Sequence, residues 1–254
     1  MIVYFKCVDI KDKGCGLVPW SRNAASAVMG FHKMGIECYQ YTDLREIEDK
    51  FTREDVLIDG IAQVNYILGK MGIVPEEYDY PAVLQGYMGR KFFESTINTV
   101  NSSPELWGNF VKPVRDKLFT GRVINSPKDL IGCGTYGEDN AVLVVEPVNF
   151  VYEARGFVYY DNMIDLRGYA GDWHIMRQLN TDVIDRAMQD FVQWDKRPNA
   201  CAIDWGVTRE GKTLLVEVNS FSATAGYGMD DIMYAKMISA YFAQWLGVVD
   251  ICKF

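Results

Sequence analysis

Histidine is almost missing: there are two in 254 residues, His32 and His174. Neither stands in a Ser-His-Asp or Cys-His arrangement, so hydrolysis by a histidine-activated nucleophile has nothing to work with. The six cysteines are scattered, with no CxxC pair and no histidine cluster beside them. A zinc site or disulfide framework is thereby excluded, and reduced thiols acting as small apolar residues are expected. No stretch approaches the ~20 apolar residues needed to cross a bilayer, and the first residues read as a strand rather than a basic leader with an apolar run. A soluble, cytoplasmic protein is the expectation. Basic excess is also absent, since the net charge is -8, which argues against broad adhesion to nucleic acid or anionic membrane. Two phosphate-binding motifs are missing as well. Gly14-x-Gly16 is not completed, because Pro19 stands where GxGxxG needs glycine, and there is no GxxxxGK[ST].

What is present is the composition of an ordinary globular protein, 49% apolar and 24% charged. Residues 2–5 suit a first strand, and 21–34 carry small and apolar residues at helical spacing up to Gly35, a natural stop. Residues 37–41 read as a strand, 55–57 as a third, and 61–71 as an amphipathic helix ending at Gly72. The pattern describes a small α/β domain over residues 1–80, with the Tyr80-Pro81 step as its boundary. In the second region, 81–254, a short helix is expected within 89–98. Strands then dominate, at 108–112, 121–124, 141–146, 155–160 and 163–167. A helix over 181–194 opens at Thr181 as N-cap, strands at 200–205 and 214–218 pair around the turn at 209–212, and 230–246 closes as a helix. The fold class expected is α+β.

The chemistry concentrates late in the chain. Period-2 alternation puts Glu217 and Asn219 on one face of the last strand, and Asp204 belongs to the strand paired with it. Three hard oxygen donors can then converge on one or two Mg²⁺ ions. Acidic residues on a solvated sheet face would look similar, but here they interrupt the apolar run Leu214-Leu215-Val216 and Val218. Lys112 ends the strand Phe110-Val111 and can reach phosphates as a point charge. The following segment, Asp116-Lys117-Leu118-Phe119-Thr120-Gly121, offers a second cation, a hydroxyl and a glycine. Glu146-Pro147-Val148-Asn149 leaves a very apolar strand through a proline-stiffened hinge, whose backbone suits an adenine edge. Glu153 and Arg155 alternate on the next strand as a ribose-binding carboxylate and a guanidinium facing phosphate or substrate. Arg167 and Tyr169 form a further cation–aromatic pair.

The ordered set Phe110-Val111-Lys112-Pro113, Lys117 to Gly121, Glu146-Pro147-Val148, Glu153-x-Arg155-x-Phe157, Asp204 and Leu215-Val216-Glu217-Val218-Asn219 resembles the ATP-grasp superfamily. It is most similar to a divergent bacterial and phage clade related to the ribosomal-protein glutamate ligases; Gly89-Arg90-Lys91 and Gly226-Tyr227-Gly228 add to the likeness. The resemblance implies an α/β N-terminal domain followed by an ATP-grasp fold with antiparallel sheets, and ATP lying between two α+β subdomains. It implies Lys112, Lys117, Thr120 and either Arg90 or Lys91 at the phosphates. Glu146 and Val148 would border adenine, Glu153 would face ribose, and Asp204, Glu217 and Asn219 would hold Mg²⁺. Arg155, Arg167 and Lys112 are the catalytic candidates. The implied activity is an ATP-dependent carboxylate–amine (or carboxylate–thiol) ligase that passes through an acyl phosphate. Its substrates would be a small-molecule or peptide carboxylate and an amine. A non-turning ATP-binding module and a phosphotransferase on the same scaffold are the alternatives.

Overall fold

The computed structural model describes residues 1–10, 16–114, 118–134 and 137–254. Gly14, Cys15, Asp116 and Lys117 of the sequence reading lie outside the described residues. Among the described residues, three four-stranded sheets make the framework.

In the first sheet, β1 (Val3–Asp9) is paired antiparallel at its end by β2 (Leu17–Pro19) and in parallel by β3 (Cys38–Tyr41) and β4 (Val56–Ile58). Helices α1 (Arg22–Lys33) and α2 (Ile61–Lys70) connect and cover it. Ser21 caps α1 by accepting from the Ala24 amide. The sheet is small, and its core is completed from the far end of the chain. Phe31, Leu57 and Ile67 share one buried cluster with Tyr241 and Phe242 of the last helix and Phe157 of the third sheet.

The second sheet comprises β5 (Phe92–Thr96), β6 (Phe110–Pro113), β7 (Arg122–Val123) and β8 (Ala141–Val145), ordered β5-β8-β6-β7 and antiparallel throughout, with α3 (Ile97–Ser102) following β5. The helix expected within 89–98 is a correction. Those residues form β5 first and turn helical only from Ile97. Phe92, Phe93, Glu94, Ser95 and Thr96 pair residue for residue with Val145 back to Ala141, and the aromatic and β-branched side chains among them favour that pleated surface.

The third sheet is β9 (Phe150–Tyr159), β10 (Asn162–Gly171), β11 (Ala200–Thr208) and β12 (Thr213–Ser220), ordered β10-β9-β11-β12. Helix α4 (Thr181–Val192) buries Ile184, Ala187 and Phe191 against Cys201, Ile203 and Trp205 on one face. Its N-cap is Asn180, whose side chain accepts from the Asp182 amide, rather than Thr181. Both residue types cap well; Asn180 is the one left in extended backbone, and Thr181 already belongs to the helix.

The last helix, α5 (Asp231–Leu246), is apolar almost all round and correspondingly buried, as such a helix must be. It is fixed at one end by the Asp230 carboxylate on the Ile232 and Met233 amides and stopped by left-handed Gly247. Its closeness to α1 depends on Gly30. A Cβ there would collide with the main-chain carbonyl of Asp231 and the methyl of Ala235. Because the obstacle is backbone, it cannot rotate away. Gly30→Ala is therefore expected to lower stability by about 1–3 kcal/mol, despite the better helix propensity of alanine. Urea unfolding of the two proteins measures this, and an unchanged or raised midpoint would disprove the close approach.

Candidate active site

A cavity of about 690 Å³ opens between the second and third sheets, with the start of α2 on its N-terminal side. Lys112 and Thr120 line it from the second sheet and the loop that follows β6; Arg155, Glu217, Asn219 and Ser220 come from the third, and Ile61 from α2. Alternation does the positioning. On β9, Glu153, Arg155 and Phe157 share a face, and the register sets Arg155 opposite Asp204 and Asp204 opposite Glu217.

At the centre is Lys112. Its Nζ donates to Asp79 Oδ1 at 2.5 Å and to Glu217 Oε2 at 2.7 Å, and lies 5.3 Å from the Tyr80 ring centre. Burial alone pulls a lysine's pKa down; here the Glu217 and Asp79 carboxylates overcome it and hold the ammonium charged. Glu217 responds in kind. Burial pushes its carboxyl up, but Lys112 and the Asn219 amide hold it below the usual range.

Beside this cluster, Arg155 forks onto Asp204, with Nε to Oδ1 at 2.8 Å and Nη2 to Oδ2 at 2.6 Å. Asp204 is only 1% exposed, and burial pushes its carboxyl up against the opposing pull of the guanidinium. Asn219 ties the two clusters together, its Nδ2 donating to Glu217 Oε1 at 3.0 Å and to Asp204 Oδ2 at 3.3 Å. Thus Lys112, Arg155, Asp204, Glu217 and Asn219, singled out from sequence, are brought into one connected network.

Other expected residues fall elsewhere. Thr120 and Gly121 border the cavity; a Cβ on Gly121 would run into the Phe110 ring and Lys112 Cβ, so only glycine lets that loop lie against β6. Glu146 is exposed at the end of β8 and accepts from the Lys91 amide at 2.9 Å, while Val148 lies half-buried in the strand connection that follows. Glu153 accepts from the Tyr169 hydroxyl at 2.6 Å. Arg167 faces Arg155 across the β9–β10 pair but binds Asp165 at 2.8 Å. The expected Arg167–Tyr169 pair is corrected accordingly: Tyr169 stacks on Tyr227, and the cation near both rings is Arg155. Arg90 donates to the carbonyls of Leu215 and Val216 at 2.7 Å each and of Met88 at 3.1 Å. A shift of register skips Val216 in the β11–β12 pairing, and Arg90 binds main-chain carbonyls at that irregularity.

Sequence reading missed Asp79. It lies ahead of β5 in sequence, at a left-handed φ of +36, and its carbonyl accepts the Val218 amide at 2.8 Å. Its only local signal was its place just before Tyr80-Pro81. Glu77 of the cavity wall was equally invisible, because nothing in local sequence ties it to Lys112.

With this geometry in place, a family profile decides the kinship. The profile of an ATP-grasp domain, the second family of its clade, matches residues 87–237, more than half of the chain. The chain belongs to this ATP-grasp family. The matched part of this ATP-grasp chain includes every member of the Lys112–Arg155–Asp204–Glu217–Asn219 network. Among solved structures, D-alanine–D-alanine ligase from Bacillus anthracis is similar with a TM-score of 0.51 at 12% identity, covering 97% of this chain and 98% of that one. N5-carboxyaminoimidazole synthetase from Staphylococcus aureus gives 0.55 at 11%, covering 95% and 76%. The corresponding synthase from Aspergillus clavatus, in complex with ADP and 5-aminoimidazole ribonucleotide, gives 0.53 at 10%, covering 98% and 77%. At these identities the likeness concerns the fold, α+β with antiparallel sheets. No curated protein matches the chain in sequence. Among the described residues, no helix is long and apolar enough to cross a membrane.

Arg90 ties the irregular stretch of the site strand to the segment before β5. Arg90→Ala is expected to cost about 2 kcal/mol of stability, the scale of charge-assisted hydrogen bonds left unmade. Denaturant unfolding tests this, and a loss under about 0.5 kcal/mol, the scale of an ordinary surface substitution, would show the fork to be dispensable.

Proposed function

We propose that the protein is an ATP-dependent carboxylate–amine (or carboxylate–thiol) ligase that releases ADP and phosphate. The observation that carries this reading is the convergence of two largely buried cations with Asp204, Glu217 and Asn219 on a cavity between two antiparallel sheets, inside an ATP-grasp domain.

The donor set suits magnesium. Asp204, Glu217 and Asn219 are all hard oxygen donors, and Asn219 lies within 3.3 Å of both carboxylates. Asn219 presents its amide nitrogen to them; a half-turn about the terminal bond presents the oxygen instead. Asp79, Asp204 and Glu217 set three carboxylates against the two cations Lys112 and Arg155, leaving local negative charge for a divalent ion. Among the described residues, no three His, Cys, Asp or Glu side chains form a metal cluster by themselves, and two carboxylates with an amide oxygen suffice for Mg²⁺, which keeps waters and phosphates in its other positions. Bound there, Mg²⁺ would supply charge neutralisation at the phosphates.

The chain's own groups then divide the work. Lys112, together with Lys91, Lys117 and Thr120, binds phosphate oxygens; Lys91 takes this part rather than Arg90, whose guanidinium holds main-chain carbonyls. Glu146 and Val148 border adenine, and Glu153 faces ribose. In the first step a substrate carboxylate oxygen bonds to the γ-phosphorus as the bond to the β–γ bridging oxygen breaks, releasing ADP. In the second an amine (or thiol) attacks the acyl carbon and phosphate leaves, the attacking atom losing its proton. Arg155 and Arg167 stabilise charge on the transferring phosphoryl group and the acyl phosphate. Preorganised cations of this kind replace a covalent enzyme nucleophile. Residues 1–80 form an N-terminal domain that shapes the acceptor side, and 81–254 the catalytic unit. The substrates are a small-molecule or peptide carboxylate and an amine, handled in a cytoplasmic setting.

ADP release, measured with ATP, Mg²⁺ and pooled amino acids or peptides, tests this. Turnover is expected only with an acceptor present, and Lys112→Ala and Glu217→Ala are each expected to lower it by about 10²–10³-fold or more, with circular dichroism confirming a folded protein. Full activity in both variants would refute the site. ATP binding without ADP release in any pool would favour a binding module, and a stable phosphorylated product instead of an amide a phosphotransferase.

A further inference from the structure

Both carboxylates of the proposed metal site are already engaged, oxygen by oxygen. Asp204 gives one oxygen to Arg155 Nε and the other to Nη2; Glu217 gives one to Lys112 and the other to the Asn219 amide. The second anchor of Arg155 is aromatic. Tyr169 and Tyr227 stack with ring centres 5.2 Å apart and planes 13° off parallel, and the guanidinium carbon lies 5.7 Å from one centre and 5.4 Å from the other. Tyr169 is tied to β9 through Glu153. Tyr227 is held at φ +46, a backbone region that tyrosine rarely adopts, so its placement is upheld by the stack and the cation.

We propose that Tyr169 and Tyr227 are positioning residues that hold the Arg155 guanidinium on Asp204, and that Arg155 and Lys112 exchange these carboxylates for phosphate oxygens when nucleotide and divalent cation enter together. The inference rests on the ATP and magnesium reading above and adds the order of events. A divalent ion entering alone would displace the largely buried Arg155 from Asp204 and leave Lys112 with Asp79 alone. A nucleotide entering alone would face two carboxylates that its phosphates had stripped of their cations. Only joint entry gives Arg155 an anion in place of Asp204 and gives Asp204 and Glu217 a cation in place of Arg155 and Lys112, so each ligand raises the affinity of the other by the same factor. The loop that carries Tyr227 continues from the cavity-lining residues Ser222 to Ala225.

The test titrates Mn²⁺, as a stand-in for Mg²⁺, into the nucleotide-free protein, following unbound Mn²⁺ by electron paramagnetic resonance. Arg155→Met and Tyr227→Ala are expected to bind Mn²⁺ at least tenfold more tightly than the native chain, because the competing guanidinium is gone or unseated. Tyr227→Phe keeps the ring and is expected to match the native chain. Damage to packing would weaken Mn²⁺ binding, so a gain separates positioning from a structural role. A parallel titration with a non-hydrolysable ATP analogue is expected to show at least tenfold tighter binding with Mn²⁺ in the native chain and a smaller ratio in Arg155→Met. If neither Arg155→Met nor Tyr227→Ala binds free Mn²⁺ more tightly, the exchange is overturned while the ATP site stands. If the native chain binds no ATP analogue with or without metal, the underlying nucleotide reading fails. Should Arg155→Met not fold, the Tyr227→Ala and Tyr227→Phe pair decides, and equal Mn²⁺ affinity in the two overturns the proposal.

Discussion

The site depends on keeping a lysine charged where little water reaches it. The Lys112 side chain is 13% exposed, and its ammonium survives there because Asp79 and Glu217 close on it from two directions. Those carboxylates come from different parts of the chain: Asp79 from the segment leading out of the N-terminal region, Glu217 from the last strand, with Lys112 on the second sheet between them. One cation thus ties three parts of the molecule together. Such ties are a poor route to stability, since desolvation offsets much of the attraction, but they fix geometry strictly. The Asp79 carbonyl reinforces the arrangement by accepting the Val218 amide, so backbone and side chain of one residue both fasten the segment to β12.

Around this tie the fold supplies rigidity. Strand β11 is buried along its whole length, and α4 covers the face opposite Asp204 with Ile184, Ala187 and Phe191. Behind it α5, buried on nearly all sides, locks the third sheet to the N-terminal one through Gly30 and a shared aromatic core. Under the exchange proposed above, only the side chains of Lys112 and Arg155 need to move over this floor. That division, a stiff floor under exchangeable charges, suits the proposed phosphoryl transfer, because once the two cations have met the phosphates the strands beneath hold them in place.

The cavity also shows how a net charge of -8 is compatible with holding a polyphosphate. The relevant charges are local. Two cations stand against three carboxylates, and under the exchange proposed above phosphates and a divalent ion take over the pairings of Arg155 with Asp204 and of Lys112 with Glu217. Net charge argued against broad adhesion to nucleic acid; it had no bearing on one anion bound in a cleft.

Sequence alone determined the elements whose signals are local. Helices α1 and α2 followed from periodicity and stop glycines, α5 from its apolar face, and the strand pairing of Asp204 with Glu217 from alternation around a short turn. The order of motifs was enough to place the chain beside the ATP-grasp proteins. It failed at 92–96, where strand was set by partners some fifty residues away, and at Asp79, Arg90 and Tyr227. Which carboxylate neutralises Lys112, that Arg90 binds main chain at a strand irregularity, and that Arg155 rather than Arg167 meets Tyr169 were decided only by tertiary structure. The reason is physical: a charge's partner is whatever folding brings within about 3 Å of it, and local sequence carries no record of contacts made across 33 or 126 residues.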